Sequence, residues 1–224
     1  IKSSAASDVY KRQEGGGAVI AVIDYGVGNL FSLKSSLAAI GQEAVVTRDQ
    51  EELDRADHIL LPGVGAFGDA VEKLRSTGMD RAVLRQAAAG KPLLGICLGM
   101  QLLFETSFEY GEHRGLGLIS GQVRDIGSVL PSGLAVPHMG WNALHFPGEQ
   151  PRSPIFRALE EGTHVYFVHS FAGFDCKGQC TATTEYGVEL TAAVQNGNVY
   201  GTQFHPEKSG AAGLAILKAF CELE

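Results

Sequence analysis

The first half of the chain alternates short apolar runs with helical stretches, and this alternation restricts the possible folds more than any other feature. Residues 18–24 read AVIAVID, a continuous β-branched run typical of a strand that is buried on both faces. Further strands are predicted at residues 44–47, 58–61 and 92–96, and helices at residues 30–40, 69–76, 80–89 and 98–105. Strands that alternate with helices in this way indicate a parallel sheet with right-handed crossovers.

The second half has a different pattern, in which short strands follow one another with only turns between them. These strands are predicted at residues 121–125, 141–146, 163–168, 179–184, 189–194 and 199–204. Asn196-Gly197 lies between the last two and is a strong hairpin signal. Residues 209–221 form a closing helix. We therefore predict one α/β domain over residues 18–224, with a central, mostly parallel sheet flanked by helices and an antiparallel extension in the second half.

The first seventeen residues, IKSSAASDVYKRQEGGG, have no periodicity and few apolar side chains. The segment SSAASDVYKRQ resembles the in-frame translation of a transposon adapter used in preparing sequencing libraries. A natural disordered tail is the alternative interpretation. On either interpretation we expect residues 1–17 to lie outside the fold.

Composition excludes several classes of protein. The 29 glycines have no period, which excludes collagen, and no apolar run reaches the roughly 18 residues that a membrane span needs. The net charge is −7 with no basic stripe, which argues against nucleic acid. Four irregularly spaced cysteines favour reduced thiols in a cytosolic enzyme. Cys176 and Cys180 have no second Cys/His pair at matching spacing, so we expect no metal, and no cofactor is predicted.

Gly95-Ile96-Cys97-Leu98-Gly99 has the form of a nucleophile elbow between a strand and a helix. Glycines on both sides of the nucleophile remove the Cβ atoms that would collide where strand and helix cross. Cys97 then lies at a helix N-terminus, where free amides and the helix dipole favour the thiolate, the form that attacks. A buried structural cysteine in a glycine-rich turn is the alternative.

His205-Pro206-Glu207 follows the predicted strand 199–204 and supplies a candidate base with its orienting group. In an extended segment residues i and i+2 point to the same side, so Glu207 can turn back to the His205 imidazole. Such a carboxylate fixes the tautomer of the ring and stabilises its charged form. A surface histidine beside a solvated glutamate is the alternative when this motif is taken alone.

An attacked carbonyl becomes an oxyanion and needs N–H donors that are already in place. The backbone amide of Leu98, directly after the nucleophile, is one candidate. The second would come from the loop Pro62-Gly63-Val64-Gly65-Ala66-Phe67, through the amide of Val64 or Gly65, because glycines let a backbone approach a ligand closely. A plain Gly/Pro turn remains possible for this loop.

Taken together, these motifs resemble the class I (triad) glutamine amidotransferases. The resemblance covers essentially all of residues 18–224 and is strongest to one subfamily, the glutaminase subunits of imidazole glycerol phosphate synthase. The blocks that carry it are DYGVGNL at 24–30, PGVGAF at 62–67, GICLGMQ at 95–101, PHMGWN at 137–142, FVHS at 167–170 and QFHPEKS at 203–209. The tail at residues 1–17 and the Cys176/Cys180 segment depart from the family pattern.

The resemblance implies a flavodoxin-like fold and a role for each motif. Cys97 would attack the side-chain amide of glutamine, His205 would transfer the protons, and Glu207 would orient His205. Gly63, Gln101, His169, Ser170 and Phe171 would position the substrate. Gln101 lies one helical turn beyond the nucleophile, and that spacing equally suits a packing position.

The family also implies a partner. The ammonia would pass to a cyclase subunit, a (β/α)8 barrel, within a cytoplasmic heterodimer that takes part in histidine biosynthesis. The resemblance assigns to that interface Tyr25, Asn29, Met139, Trp141, Tyr166 and Lys208. Trp141 and Tyr166 could instead be core residues, and Lys208 could simply be solvated.

Two other functions fit parts of the sequence. A Cys peptidase or γ-glutamyl hydrolase would keep the fold and change the substrate, and the subfamily blocks argue against it. A non-catalytic regulatory module would carry a vestigial triad, and the intact Cys97, His205 and Glu207 argue against that.

Overall fold

A computed structural model describes residues 18–148 and 151–224. Residues 1–17, which we expect to lie outside the fold, are not among the described residues. The strands, in chain order, are β1 (Ile20–Ile23), β2 (Ala44–Thr47), β3 (His58–Gly63), β4 (Leu93–Cys97), β5 (Phe104–Ser107), β6 (His113–Arg114), β7 (Ile119–Asp125), β8 (His138–Ala143), β9 (His164–His169), β10 (Phe171–Phe174), β11 (Cys180–Glu185), β12 (Glu189–Asn196) and β13 (Val199–Thr202).

The helices are α1 (Leu30–Ala39), α2 (Gln50–Arg55), α3 (Phe67–Ser76), α4 (Met79–Ala88), α5 (Leu98–Leu102) and α6 (Gly210–Cys221). Short 3-10 turns occur at Ile126–Ser128, Pro154–Phe156 and Pro206–Lys208. Helix α1 begins as its sequence predicts, because the Asn29 side chain accepts a hydrogen bond from the Ser32 amide at 3.3 Å. It ends at Ala39, and Gly41, two residues later, has a φ of 77° that few other residues adopt readily.

The central sheet has the order β11-β12-β13-β4-β3-β1-β2. The pairs from β13 through β2 are parallel, whereas β11, β12 and β13 pair antiparallel. This arrangement confirms the predicted parallel core with an antiparallel extension, including the hairpin at Asn196-Gly197. The described residues also form a smaller sheet of order β10-β7-β5-β6 and the antiparallel ribbon β8-β9.

Two apolar clusters pack on opposite faces of the central sheet. Along β3, Leu60 belongs to one cluster, while Ile59 and Leu61 belong to the other. The first cluster receives Leu33 from α1 and Phe220 from α6, and the second receives the apolar faces of α3 and α4. Both faces are therefore covered, which explains why these strands are continuous apolar runs.

Several expectations for local structure differ from the fold. The strand predicted at residues 141–146 is β8, at His138–Ala143, and strands β6 and β10 were not predicted. The helix predicted at residues 98–105 ends at Leu102, and Phe104–Ser107 instead forms β5, which pairs with β6 and β7. Tertiary pairing therefore overrides the helical pattern at this point. Helix α2 was not predicted, because its six residues are polar apart from the buried Leu53 and carry no apolar period.

Among the described residues, no helix combines the length and the apolar character needed to cross a membrane.

Helix α6 holds the Pro206–Lys208 turn in place through a close backbone contact. A Cβ added at Gly213 would lie 1.8 Å from the Pro206 carbonyl oxygen, so only glycine allows this approach.

We expect Gly213→Ala to destabilise the protein by about 1–3 kcal/mol, although alanine is normally the better helix former. Urea unfolding measures this effect. Gly178→Ala is the control, because a Cβ there meets nothing within 4 Å; equal stability of the two variants would contradict the close contact.

Candidate active site

Cys97 ends β4 and directly precedes α5, with a backbone φ of 54° and ψ of −112°. A positive φ is uncommon for a residue with a side chain and marks local strain. The turn projects the sulfur from the carboxyl edge of the sheet, as the elbow motif predicts. Cys97 is 8% exposed, so the thiol lies close to solvent without being open to it.

The flanking glycines make this turn possible. A Cβ at Gly99 would lie 1.8 Å from the Leu61 carbonyl oxygen, and one at Gly95 would lie 2.6 Å from the Gly99 carbonyl oxygen. Both contacts are with backbone, which cannot move aside as a side chain can. The structural reason inferred from the sequence for these two glycines is thus confirmed.

His205 follows β13 and reaches the same edge of the sheet. Its backbone N–H donates to the Tyr166 carbonyl at 3.0 Å, and its own carbonyl accepts from the Ser209 hydroxyl at 2.7 Å. Pro206–Lys208 forms a 3-10 turn rather than the extended segment that the sequence suggested. The turn still returns Glu207 to the imidazole, with His205 Nδ1 and Glu207 Oε1 2.7 Å apart and both side chains buried.

The Cys97 side chain interacts with the His205 imidazole. Burial alone would lower the pKa of His205, but the contacts with Cys97 and Glu207 outweigh burial and raise that pKa to about 10. His205 is therefore protonated at neutral pH in a site where a thiolate can pair with it. A positively charged imidazole beside the sulfur favours the form of cysteine that attacks, and the same ring can serve as an acid and a base.

A cavity of about 330 Å³ opens beside the sulfur. Its walls include most of the predicted catalytic, oxyanion and glutamine-binding residues, together with Lys208 and with three residues that were not predicted as site residues, Glu109, Pro137 and Val168. The lining residues are Val64, Gly65, Cys97, Leu98, Gln101, Glu109, Pro137, Val168, His169, Ser170, Phe171, His205 and Lys208. Gly63 lies behind this wall rather than in it. It pairs with Cys97 in the sheet, and a Cβ there would lie 2.6 Å from the Tyr25 hydroxyl.

The polar wall opposite the elbow is held by hydrogen bonds. The Gln101 amide donates to the Phe171 carbonyl at 2.9 Å, and His169 Nδ1 donates to the same carbonyl at 2.9 Å. Burial lowers the pKa of His169 to about 4, so its ring is neutral at neutral pH. The other ring nitrogen of His169 lies 3.0 Å from His138 Nδ1. The wall therefore offers fixed, uncharged polar groups to a bound molecule.

Glu109 is a cavity residue that the sequence analysis missed. It is 8% exposed, and its Oε2 accepts a hydrogen bond from the Phe67 amide at 2.7 Å. Burial raises the pKa of the Glu109 carboxyl above its ordinary value, while the Phe67 amide acts in the opposite direction. Nothing in the local segment FEYGEHR distinguishes this glutamate, because only the fold brings it to Cys97.

Two residues expected at a partner interface lie in different environments. Asn29 is exposed at the start of α1. Tyr25 is only 3% exposed, and its hydroxyl donates to the Pro62 carbonyl at 2.9 Å. Burial raises the pKa of Tyr25. Tyr25 thus supports the Gly63–Gly65 loop from behind and does not present a surface, which corrects the expectation for it.

The other four interface candidates form a single surface next to the cavity, which we call the aromatic patch: Met139, Trp141, Tyr166 and Lys208. Met139 and Trp141 are 60% and 53% exposed, which is unusual for large apolar side chains. The Trp141 and Tyr166 rings lie 6.0 Å apart, and Lys208 Nζ lies 5.9 Å from the centre of the Tyr166 ring. Because Lys208 also lines the cavity, the patch adjoins the cavity mouth.

Comparison with known proteins agrees with this geometry. A sequence profile described as "Glutamine amidotransferase class-I" matches residues 21–222. The chain belongs to the class I glutamine amidotransferase family, and it is a glutamine amidotransferase.

Within that class, the chain belongs with the HisH subunits of imidazole glycerol phosphate synthase. It is 48% identical over 205 residues to that subunit of Moorella thermoacetica, with 91% of this chain and 94% of the relative covered. It is 49% identical over 209 residues to that of Bacillus velezensis, with 92% and 96% covered. The chain therefore covers nearly the full length of these two relatives.

Solved structures show the same fold. The structure titled "Structure of PurLQS from Thermotoga maritima" matches with a TM-score of 0.70 at 22% identity, covering 91% of this chain and 97% of that chain. A structure titled "Crystal structure of glutamine amidotransferase" matches with a TM-score of 0.69 at 22% identity, covering 91% and 99%. At this identity the likeness concerns the fold alone, and it confirms the predicted class I amidotransferase architecture.

Replacing Glu207 by Gln tests whether the carboxylate maintains the charged pair. The neutral amide no longer stabilises protonated His205, so the pKa of His205 falls and the positive charge beside the Cys97 sulfur is weakened. We expect the rate of Cys97 alkylation by iodoacetamide at pH 7 to fall about tenfold, the effect of losing roughly 1.4 kcal/mol of charge stabilisation. Mass spectrometry of the labelled peptide measures that rate.

Glu161→Gln is the matched control, because Glu161 Oε1 lies 2.9 Å from His145 Nδ1 in an exposed Glu–His pair. This control should react like the wild type. Unchanged Cys97 reactivity in Glu207→Gln, or an equal fall in both variants, would refute the role of Glu207.

Proposed function

We propose that this protein hydrolyses glutamine to glutamate and ammonia through a thioester on Cys97. The observation that carries the proposal is the series of Cys97, His205 and Glu207 at the wall of a cavity of about 330 Å³, in which His205 interacts with Cys97 and is hydrogen-bonded to Glu207. A cavity of this size suits a small molecule such as an amino acid. The family membership shown above supports glutamine as that amino acid.

In the first half-reaction the Cys97 thiolate attacks the side-chain amide carbon of glutamine. The carbon–sulfur bond forms as the carbonyl π electrons move to oxygen, giving a tetrahedral oxyanion. The Leu98 amide and an amide of the Val64–Gly65 segment are the proposed donors to that oxyanion. Protonated His205 then gives its proton to the amide nitrogen, the carbon–nitrogen bond breaks, and ammonia leaves a thioester behind.

In the second half-reaction water replaces the sulfur. Neutral His205 takes a proton from water as the water oxygen attacks the thioester carbon. Collapse of the second oxyanion breaks the carbon–sulfur bond, which releases glutamate and restores the Cys97 thiolate beside protonated His205. Glu207 keeps the imidazole oriented through Nδ1 in both half-reactions.

The cavity wall provides for the other end of glutamine. The Glu109 carboxylate is the proposed partner of the substrate ammonium group, because it is the acidic side chain that lines the cavity. Gln101, His169, Ser170 and Phe171 are the proposed positioning groups, as the sequence analysis expected, and Gly63 acts only by keeping the loop in place. A peptide bond lacks the free ammonium and carboxylate that such a wall would bind.

We further propose that the ammonia passes to a cyclase subunit with a (β/α)8 barrel, which produces imidazole glycerol phosphate and aminoimidazole carboxamide ribonucleotide. The support is the subunit naming of the relatives and the exposed aromatic patch beside the cavity mouth, with Asn29 as a further candidate contact. Exposed aromatic residues next to a cation are typical binding anchors. The proposed location is the cytoplasm, a reducing compartment that keeps a nucleophilic thiol free.

Cys97→Ala tests the nucleophile. With purified cyclase partner and glutamine present, we expect glutamate formation to fall to the background rate, because no other group can form the thioester. Association of the two subunits, measured by analytical ultracentrifugation, should remain as in the wild type, since the thiol is not part of the aromatic patch. Retained turnover in this variant would exclude Cys97 as the nucleophile.

The wild-type assay separates the competing functions. Glutamate formation that depends on the partner supports the proposal. Rapid hydrolysis of peptides or γ-glutamyl conjugates without any partner would favour a peptidase or γ-glutamyl hydrolase instead. No turnover of any amide, with the subunits still associated, would favour a regulatory module.

A further inference from the structure

Gln203 is a fully buried polar residue that the proposed mechanism does not use. It lies just beyond β13, two residues before His205, and its backbone N–H donates to the Ala192 carbonyl at 2.8 Å. The Gln203 side chain lies between two cavity residues, Cys97 and Gln101. Gln203 Nε2 is 3.8 Å from the Cys97 sulfur, within the longer range of hydrogen bonds to sulfur, and Gln203 Oε1 is 3.1 Å from Gln101 Nε2.

The Phe171 carbonyl determines the orientation of two side-chain amides, those of Gln101 and Gln203. The Phe171 carbonyl can only accept, so the Gln101 amide presents its nitrogen to it, at 2.9 Å. The same nitrogen faces Gln203, so Gln203 must present its oxygen there. The NH₂ group of Gln203 is therefore directed at the sulfur. Reversing either amide would oppose two oxygens or two N–H groups in a buried place.

We propose that Gln203 is a positioning residue that donates to the Cys97 sulfur, holds it in its attacking direction, and ties it to the substrate wall through Gln101. Only the expected effect of Gln203 on turnover rests on the proposed amide hydrolysis. Its effect on the sulfur itself does not depend on the substrate.

The physical basis is the difference between thiolate and thiol as acceptors. A hydrogen bond to a charged group is stronger than one between neutral groups, so a fixed N–H donor favours the thiolate. With Gln203 donating to the sulfur and the His205 imidazole interacting with it, the sulfur has two neighbours, and its direction no longer depends on the strained Cys97 backbone alone. Because the Gln203 amide also accepts from Gln101, it contacts both the Cys97 nucleophile and the wall of the cavity.

Two substitutions separate the two ends of the Gln203 amide. Gln203→Met keeps the length of the side chain and removes both its donor and its acceptor. Gln203→Glu keeps an acceptor for Gln101 and replaces the donor at the sulfur with an oxygen. Thr202→Val is the control, because the buried Thr202 hydroxyl has no hydrogen-bond partner in the described part of the chain.

The first readout is the pH profile of Cys97 alkylation by iodoacetamide, measured without glutamine. We expect the rate at pH 7 to fall about tenfold or more in both Gln203 variants, as for a lost hydrogen bond to a charged group. The pH at which the rate is half-maximal should rise, and Thr202→Val should match the wild type. Thermal unfolding checks that each variant is folded, and if Gln203→Met does not fold, Gln203→Glu carries the same test.

The second readout is glutamine turnover with the partner present. For Gln203→Glu we expect KM within about twofold of the wild type, because Gln101 keeps its acceptor, and kcat reduced about tenfold or more. For Gln203→Met we expect kcat to fall and KM to rise together. A wild-type alkylation profile in both folded variants, or an equal loss in Thr202→Val, would overturn the proposal. Altered alkylation in a protein that hydrolyses no glutamine would support Gln203 and refute the proposed function instead.

Discussion

The backbone of Cys97 is the constraint on which the rest of the site depends. Its φ of 54° is tolerated only because β4 and α5 meet with no side chain between them at Gly95 and Gly99. The same close approach packs α5 onto β3, so the strain at one residue is offset by contacts along two strands. The result is a sulfur fixed at the carboxyl edge of a parallel sheet, where α/β folds commonly place their ligand sites.

The elbow places this sulfur at the start of α5, and the other groups around it arrive from distant parts of the chain. β13 brings His205 and Gln203, the turn held by Gly213 returns Glu207, and the smaller sheet supplies Phe171 and the loop with Glu109. A buried charge is costly unless it is paired; burial would lower the pKa of His205, but the contacts with Cys97 and Glu207 outweigh it. Because the folded protein raises the pKa of His205, its protonated form is favoured up to a pH of about 10 and lost above it.

The sequence predicts those parts that depend on local pattern. The buried strands, the elbow at Cys97, the Asn29 cap and the Asn196-Gly197 hairpin follow from propensities and from glycine geometry. The strand β5 does not, since residues 104–107 are extended only because β7 and β6 pair with them. Glu109 and Gln203 were missed for a related reason: their role lies in contacts between elements far apart in the chain. For Tyr25 the expectation differs from the structure in the opposite way. Its loop motif suggested an exposed interface residue, but Tyr25 is buried under the neighbouring loop.

The most direct test of the account is an NMR titration of the His205 imidazole in the wild type and in Cys97→Ala. The account predicts that the pKa of His205 is about 10 in the wild type and falls clearly when the sulfur is removed. A wild-type pKa near the ordinary value of about 6.5 for histidine, unchanged in Cys97→Ala, would contradict the charged pair at the centre of the site.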